Sequence, residues 1–316
     1  MPTLFEPPHF PFEFSASRRT SGRVRPTDDR GDLSRVRRGV YMGRAEWEGM
    51  SPDDRYRAFI HATLACSPTA PLLSHFSAAA LRRLPVVGSW PDTVHTVVSD
   101  RSGGRSSGRY TRHRTTHEPL VEIVDGARCT TLERTIVDVA RTGWRATALA
   151  MADHALARGW TTSDALLEED ATLGPGRGSQ LSRALLALAD PGAANGGESF
   201  VRLLVHDAGF DAPRLQHRLE DGDGLIGFAD FYWPDPGLVL EFDGRRKYSA
   251  DEFTNGAPAE DIVWREKRRE DRIRSLGIRV VRATWEDLHG DSPRVLHLLA
   301  AAGAPRRRQI GFEGAR

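Results

Sequence analysis

The chain has 316 residues, a formal net charge of +1, and 39% hydrophobic and 28% charged residues, which describes a folded globular protein and excludes a disordered chain or a uniformly basic nucleic-acid binder. At about 150 residues per domain the length predicts two domains. No run approaches the ~20 apolar residues of a membrane span, the first residues lack a secretory pattern, and Cys66 and Cys129 lack metal or disulfide spacing, so a reduced, cytoplasmic protein without membrane contact is expected.

Residues 1–31, rich in proline and paired basic residues, read as a flexible leader. A first domain is expected over 32–160. It opens with a strand-like SRVRRGVY and a helix from Asp53 to Cys66, then a short helix with Ser77 as N-cap and AAALRRL as body. DTVHTVVS at 92–99 alternates as a strand. RSGGRSSGRYTRHRT at 101–115 reads as a Gly/Ser-rich loop, and its Arg101, Arg105, Arg109, Arg112 and Arg114 suit phosphate contacts. Arg35, Arg37 and Arg38 form a second basic cluster. Two amphipathic helices follow at 131–141 and 145–158. His75 reads as a cap or packing residue, and His113 and His117 are too weakly spaced to make a metal pair.

Residues 161–197 read as a helical linker between two Gly/Pro-rich breaks, the last domain as 198–303, and 304–316 as a frayed tail. The last domain is expected as helix 198–208, strand 214–219, hairpin 226–243, helix 259–276, strand 278–283 and helix 292–302. WPDPG is a strong turn signal, which pairs Trp233 with Leu238 and sets Asp230 opposite Glu241. Asp243 shares their face by the two-residue period, while Leu238, Leu240 and Phe242 face the core. Carboxylates so gathered repel one another unless cations compensate, and their oxygens suit Mg²⁺ or Mn²⁺. The alternative is a solvated polar sheet face.

Glu198, in the first turn of its helix, is favoured there by the helix dipole alone. Arg245, Arg246 and Lys247 follow the carboxylate strand directly. On helix 259–276 the core stripe is Ile262, Ile273 and Leu276. Glu266 and Arg269 fall inside it and need partners, whereas Lys267, Arg268 and Arg272 are expected in solvent.

Glu198, Asp230, EFDG at 241–244, the basic helix and GIRVVRATWEDL together resemble the PD-(D/E)XK endonuclease-like fold, most closely domains related to the very-short-patch repair endonuclease. The resemblance implies an α/β domain with a central mixed sheet, a magnesium-dependent hydrolase acting on DNA, and Glu198, Asp230 and Glu241 as acidic ligands. The motif's lysine position is occupied by Asp243. Asp243 is then an extra ligand, or the lysine role falls to Lys247 before Lys267, or the fold persists without cleavage. SRVRRGVY, LLSHFSAAALRRLP and CTTLERTIVDVAR resemble AbiEi-type antitoxin-like proteins of toxin–antitoxin systems, which implies a mixed α/β domain, DNA binding and a cognate toxin as partner. The helices expected before RGVY are replaced by the leader, leaving an incomplete winged helix. Against the endonuclease reading stands a non-catalytic regulator that only binds DNA or a partner.

Overall fold

The computed structural model describes residues 15–16, 32–99, 109–244, 259–290 and 293–307. Over these the chain is mixed α/β, as expected, and divides into two compact units. One comprises the chain up to Trp144 together with Thr161–Leu188, the other Arg145–Trp160 together with the chain from Ala189 onward. The units are therefore interleaved around residue 160, where the sequence suggested a simple boundary.

In the first unit, strands β1 (Ser15–Ala16), β2 (Leu33–Arg37) and β3 (Val40–Gly43) form a small antiparallel sheet in the order β1-β3-β2. Helix α1 (Arg44–Gly49) leads to α2 (Pro52–Ala65), whose start is set by Ser51: its hydroxyl accepts from the Asp54 N–H at 3.1 Å, and Pro52 opens the first turn. Ala58 and Ala62 of α2 pack on Val36, Val40 and Met42. Arg37 is buried there and donates to the Ala62 carbonyl, so it is not part of a phosphate-binding cluster.

The larger sheet joins β4 (Leu72–Leu73), β5 (Val94–Ser99), β6 (Tyr110–Thr115), β7 (Val121–Val124) and β8 (Ala127–Thr130) in the order β6-β5-β4-β8-β7. Residues 110–115, expected in a loop, instead form a strand parallel to β5. Helix α3 spans His75–Leu81, two residues earlier than its expected cap at Ser77. The Ser77 hydroxyl serves the sheet instead: it accepts from the His95 N–H at 2.8 Å and contacts the Tyr56 hydroxyl at 2.9 Å. Helix α4 (Leu132–Arg141) is capped by Thr131. The next helix, α5 (Arg145–Ala157), belongs to the second unit, and α6 (Ser163–Thr172) and α7 (Ser179–Leu186) return to pack on α4.

The second unit runs α8 (Gly196–Asp207), β9 (Arg214–Asp221), β10 (Gly224–Trp233), β11 (Leu238–Asp243), α9 (Ala259–Ser275), β12 (Arg279–Thr284), a 3-10 helix (Trp285–Leu288) and α10 (Arg294–Ala301). Its sheet, in the order β12-β11-β10-β9, is mixed: β9, β10 and β11 are antiparallel, and β12 lies parallel to β11. Gly237, at φ 68°, closes the turn by donating its N–H to Pro234, and Trp233 pairs with Leu238 as the turn signal requires. Val201 and Val205 of α8 pack on Phe231, Trp233, Leu238, Leu240 and Phe242 on one face of the sheet. Val239, Ala229, Leu219 and Ile273 form a second cluster. Leu276 is not part of this core; it follows the end of α9 and is exposed. The tail expected to fray from 304 is held as far as Arg307, through a bridge between Phe210 and Arg306 and an N–H bond from Asp211 to Pro305.

Candidate functional site

The carboxylates of the second unit do not gather as a simple opposed row. Ladder pairing of β10 with β11 covers Trp233–Leu238, Tyr232–Val239 and Phe231–Leu240. Where Asp230 was expected to face Glu241, its Oδ2 instead accepts the backbone N–H of Phe242 at 2.8 Å. The strand turns over at this point. Phe231 lies in one core cluster and Ala229, two residues away, in the other, which uninterrupted alternation forbids. On the neighbouring strand Gln216, between His217 and Leu215 that pair with Ala229 and Phe231, adopts a left-handed φ of 44°. Such a backbone is uncommon outside glycine and clusters at functional sites.

This irregular row joins Asp230 to Glu198. The Gln216 side-chain amide donates to Asp230 Oδ1 at 3.1 Å and to Glu198 Oε2 at 3.3 Å. Glu198 is buried in the first turn of α8. It accepts the Ala194 N–H at 2.8 Å and the Asn195 side-chain amide at 2.7 Å, while Asn195 Oδ1 caps the helix by accepting from Gly197 and Glu198. Gly197 has a specific reason to be glycine: a Cβ there would overlap the Phe242 ring. Burial, reinforced by the charge of Asp230, pushes the Glu198 carboxyl up to about 7, against the pull of its Ala194, Gln216 and Asn195 hydrogen bonds.

Glu241 has a different environment. Its Oε1 lies 2.6 Å from Arg269 Nη1, close enough for strong attraction though not aligned as a hydrogen bond, and its Oε2 lies 3.4 Å from Arg282. Glu266 pairs with both arginines, at 3.4 Å to Arg269 and 2.5 Å to Arg282. The inward positions of Glu266 and Arg269 on α9 thus have the partners they required. Arg272, expected in solvent, is instead bound to Asp221 at 2.5 Å, whereas Lys267 and Arg268 are exposed. Asp243 is exposed at the end of β11. Lys247, Arg245, Arg246, Arg101 and Arg105 lie outside the described residues. Arg109, Arg112 and Arg114 are at or on β6, Arg112 over the Tyr110 ring at 5.9 Å.

No three His, Cys, Asp or Glu side chains form a metal-ligating group among the described residues. The donor chemistry nevertheless separates the candidates. Glu198 and Asp230 accept from neutral N–H donors. The charge of Glu241 is already met by two guanidiniums. Glu198 and Asp230 are thus the acids whose hydrogen-bond partners carry no charge, whereas Glu241 is paired with Arg269 and Arg282. Gln216 escaped the sequence reading because nothing in RLQHRL distinguishes it; only the irregular backbone makes it the bridge.

In the first unit, His75, His95 and His113 come together, although only His75 and His113 drew notice in the sequence and neither was linked to the other. His113 Nε2 and His95 Nδ1 are 3.0 Å apart, and the His75 and His113 rings stack with centroids 3.4 Å apart. His117 is not their partner; it is exposed and turns back on Thr115.

Two proteins of Mycobacterium tuberculosis, Uncharacterized protein MT2308 of strain CDC 1551 and Uncharacterized protein Rv2248 of strain H37Rv, are each 30% identical to this chain over 241 residues, or 75% of this chain and 80% of the relative. No family model matches the chain.

Proposed function

We propose, for a chain that belongs to the family of the mycobacterial proteins MT2308 and Rv2248, a DNA-associated function in which the second unit is an endonuclease-like domain acting on phosphodiesters. The observation that carries this reading is the joining of Glu198 and Asp230, from a helix and an irregular strand, through Gln216. A buried carboxyl of raised pKa, joined to a second acid by a residue of left-handed backbone, is a pattern of reactive sites rather than of solvated sheet faces.

Glu198 and Asp230 are the residues that would hold Mg²⁺ or Mn²⁺, an ion that supplies Lewis-acid polarisation of a phosphoryl oxygen and a more acidic bound water. Gln216 fixes both carboxyls in one orientation. Burial raises the Glu198 carboxyl to about 7, a cost that a bound cation would offset. Arg269 and Arg282 beside Glu241 suit the charge of a phosphodiester, with Lys247 the sequence candidate for neutralising it or activating water. Arg109, Arg112 and Arg114 of the first unit are candidate contacts to the phosphate backbone.

A second reading, in which the fold binds DNA or a protein partner such as a toxin without cleaving, is favoured by two observations: Glu241 is engaged by arginines, and Asp243 stands where the resemblance expects lysine. Incubation of the purified chain with supercoiled DNA, linear DNA and RNA in Mg²⁺ and Mn²⁺ distinguishes the two. The first reading expects nicking that Glu198→Gln and Asp230→Asn each reduce at least about 100-fold, the scale of losing one electrostatic contribution to catalysis. Cleavage that survives both substitutions removes this site from the account. Salt-dependent DNA binding with no cleavage moves the function to the second reading.

A further inference from the structure

The histidine cluster of the first unit is built from four elements: His75 from α3, His95 from β5, His113 from β6, and Asp138 with Arg134 from α4. His75 and Asp138 are buried, and His95 and His113 half-buried. His75, the first residue of α3, adopts a left-handed φ of 49°. Its Nδ1 contacts the Ser74 hydroxyl at 2.9 Å and lies 3.6 Å from Asp138 Oδ2, a buried oxygen without a hydrogen bond. Asp138 Oδ1 accepts from Arg134 at 2.9 Å, and Arg134 also donates to Thr115 and lies 3.9 Å from Glu169 of α6. Arg112 and Arg114 flank His113 along β6, Tyr56 of α2 reaches the adjacent Ser77, and β4 brings only Leu72 and Leu73.

This geometry limits charge. A hydrogen bond between His95 and His113 needs a proton on one nitrogen and a lone pair on the other, so two imidazolium rings would set N–H against N–H. A charged His75 stacked on His113 would add a third like charge beside Arg134, in a buried place where only Asp138 could compensate. At least two of the three rings must therefore be neutral for the elements to meet as they do.

We propose that His75, His95 and His113 form an acid-operated latch, which joins α3, β5 and β6 while its rings are uncharged and releases them when the rings take up protons. Burial depresses His95 and His113 to about 4 and His75 far below the ordinary histidine value, the neighbouring rings adding to the effect on His75 and His95. A histidine whose folded pKa is depressed stabilises the fold above its unfolded value near 6.5, and that stability is lost as pH falls toward the folded value. Asp138, raised to about 6 by burial, works in the opposite direction, and Glu169, also raised by burial, does the same. Three rings gaining protons against these carboxyls give a net uptake of about one to two on opening. The opening constant then rises about 10- to 100-fold for each pH unit between roughly 6 and 5. His61 of α2, also depressed to about 4 by burial, adds to the wild-type slope and is unaffected by changes in the cluster.

Hydrogen exchange of the full chain, corrected for intrinsic exchange and followed from pH 7.5 to 5, tests the latch. Peptides from α3, β5, β6 and α4 are expected to lose protection steeply, while those from α8, β10 and β11 retain it. His113→Gln, which keeps a hydrogen-bonding group but cannot titrate, is expected to flatten the first-unit slope by about tenfold per pH unit. An unchanged slope in that variant, or equal losses in both units, would overturn the proposal. Should the variant not fold, ring ¹⁵N shifts of the wild-type chain decide: the three rings stay neutral until the unit opens if the latch is right, and any of them titrating near 6.5 in the folded protein rejects it.

Discussion

Each unit holds a polar cluster inside its fold, and the two solve the problem of buried charge in opposite ways. The first sets three histidine rings beside an Arg134–Asp138 pair that balances its own charge within α4. The second brings two acids, Glu198 and Asp230, onto one glutamine and leaves the nearby arginines with Glu241. A compensated cluster is what fold maintenance requires. An uncompensated pair of acids carries a standing cost that a bound cation would relieve. The contrast fits the two proposals, the first cluster holding and releasing its unit and the second serving chemistry.

The sharpest way to break that contrast is to remove a compensating charge in the first unit. Asp138→Ala leaves Arg134 buried without its carboxylate and is expected to destabilise the unit by about 3–5 kcal/mol in denaturant unfolding at pH 7.5. A change under about 1 kcal/mol would mean that the pair is not structural. In the second unit a packing change is expected to cost less. Gly197→Ala places a methyl group in the Phe242 ring and is expected to cost about 1–3 kcal/mol, read as a lower thermal midpoint. The smallest effect belongs to Arg282, itself half-exposed where it pairs with Glu241, Glu266 and Glu270: Arg282→Gln is expected to change stability by about 0–1 kcal/mol. If that substitution costs as much as Asp138→Ala, the arginines beside Glu241 are structural and not available to a phosphodiester.

Legibility in the sequence divided along the same line. WPDPG set the β10–β11 register because turn chemistry is local, and the core face of Leu238, Leu240 and Phe242 followed from periodicity. Asp230 and Glu198 were visible as acids in informative places. Their junction was not, because it depends on a left-handed Gln216 and a strand that turns over at one residue, neither of which leaves a trace in RLQHRL or GFADFYW. The pairing of Asp230 with Glu241 was over-read for the same reason: it assumed that alternation continues unbroken. The histidine cluster was hidden more completely. His75, His95 and His113 are far apart in the chain and each looks ordinary locally; only the parallel pairing of β5 with β6, across a segment read as loop, brings two of them to one face. The interleaving of the units likewise reflects which helix packs on which, and helix–helix choice is not written in the pattern of either helix alone.

The proposed function requires Glu198 and Asp230 to hold a cation together, and Mn²⁺ binding to the full chain, followed by the loss of free-ion electron paramagnetic resonance signal, tests this most directly. Saturable binding that is abolished by Glu198→Gln and by Asp230→Asn but retained by His113→Gln is the predicted result. No binding by the wild-type chain, or binding that both acidic-site variants preserve, would contradict it.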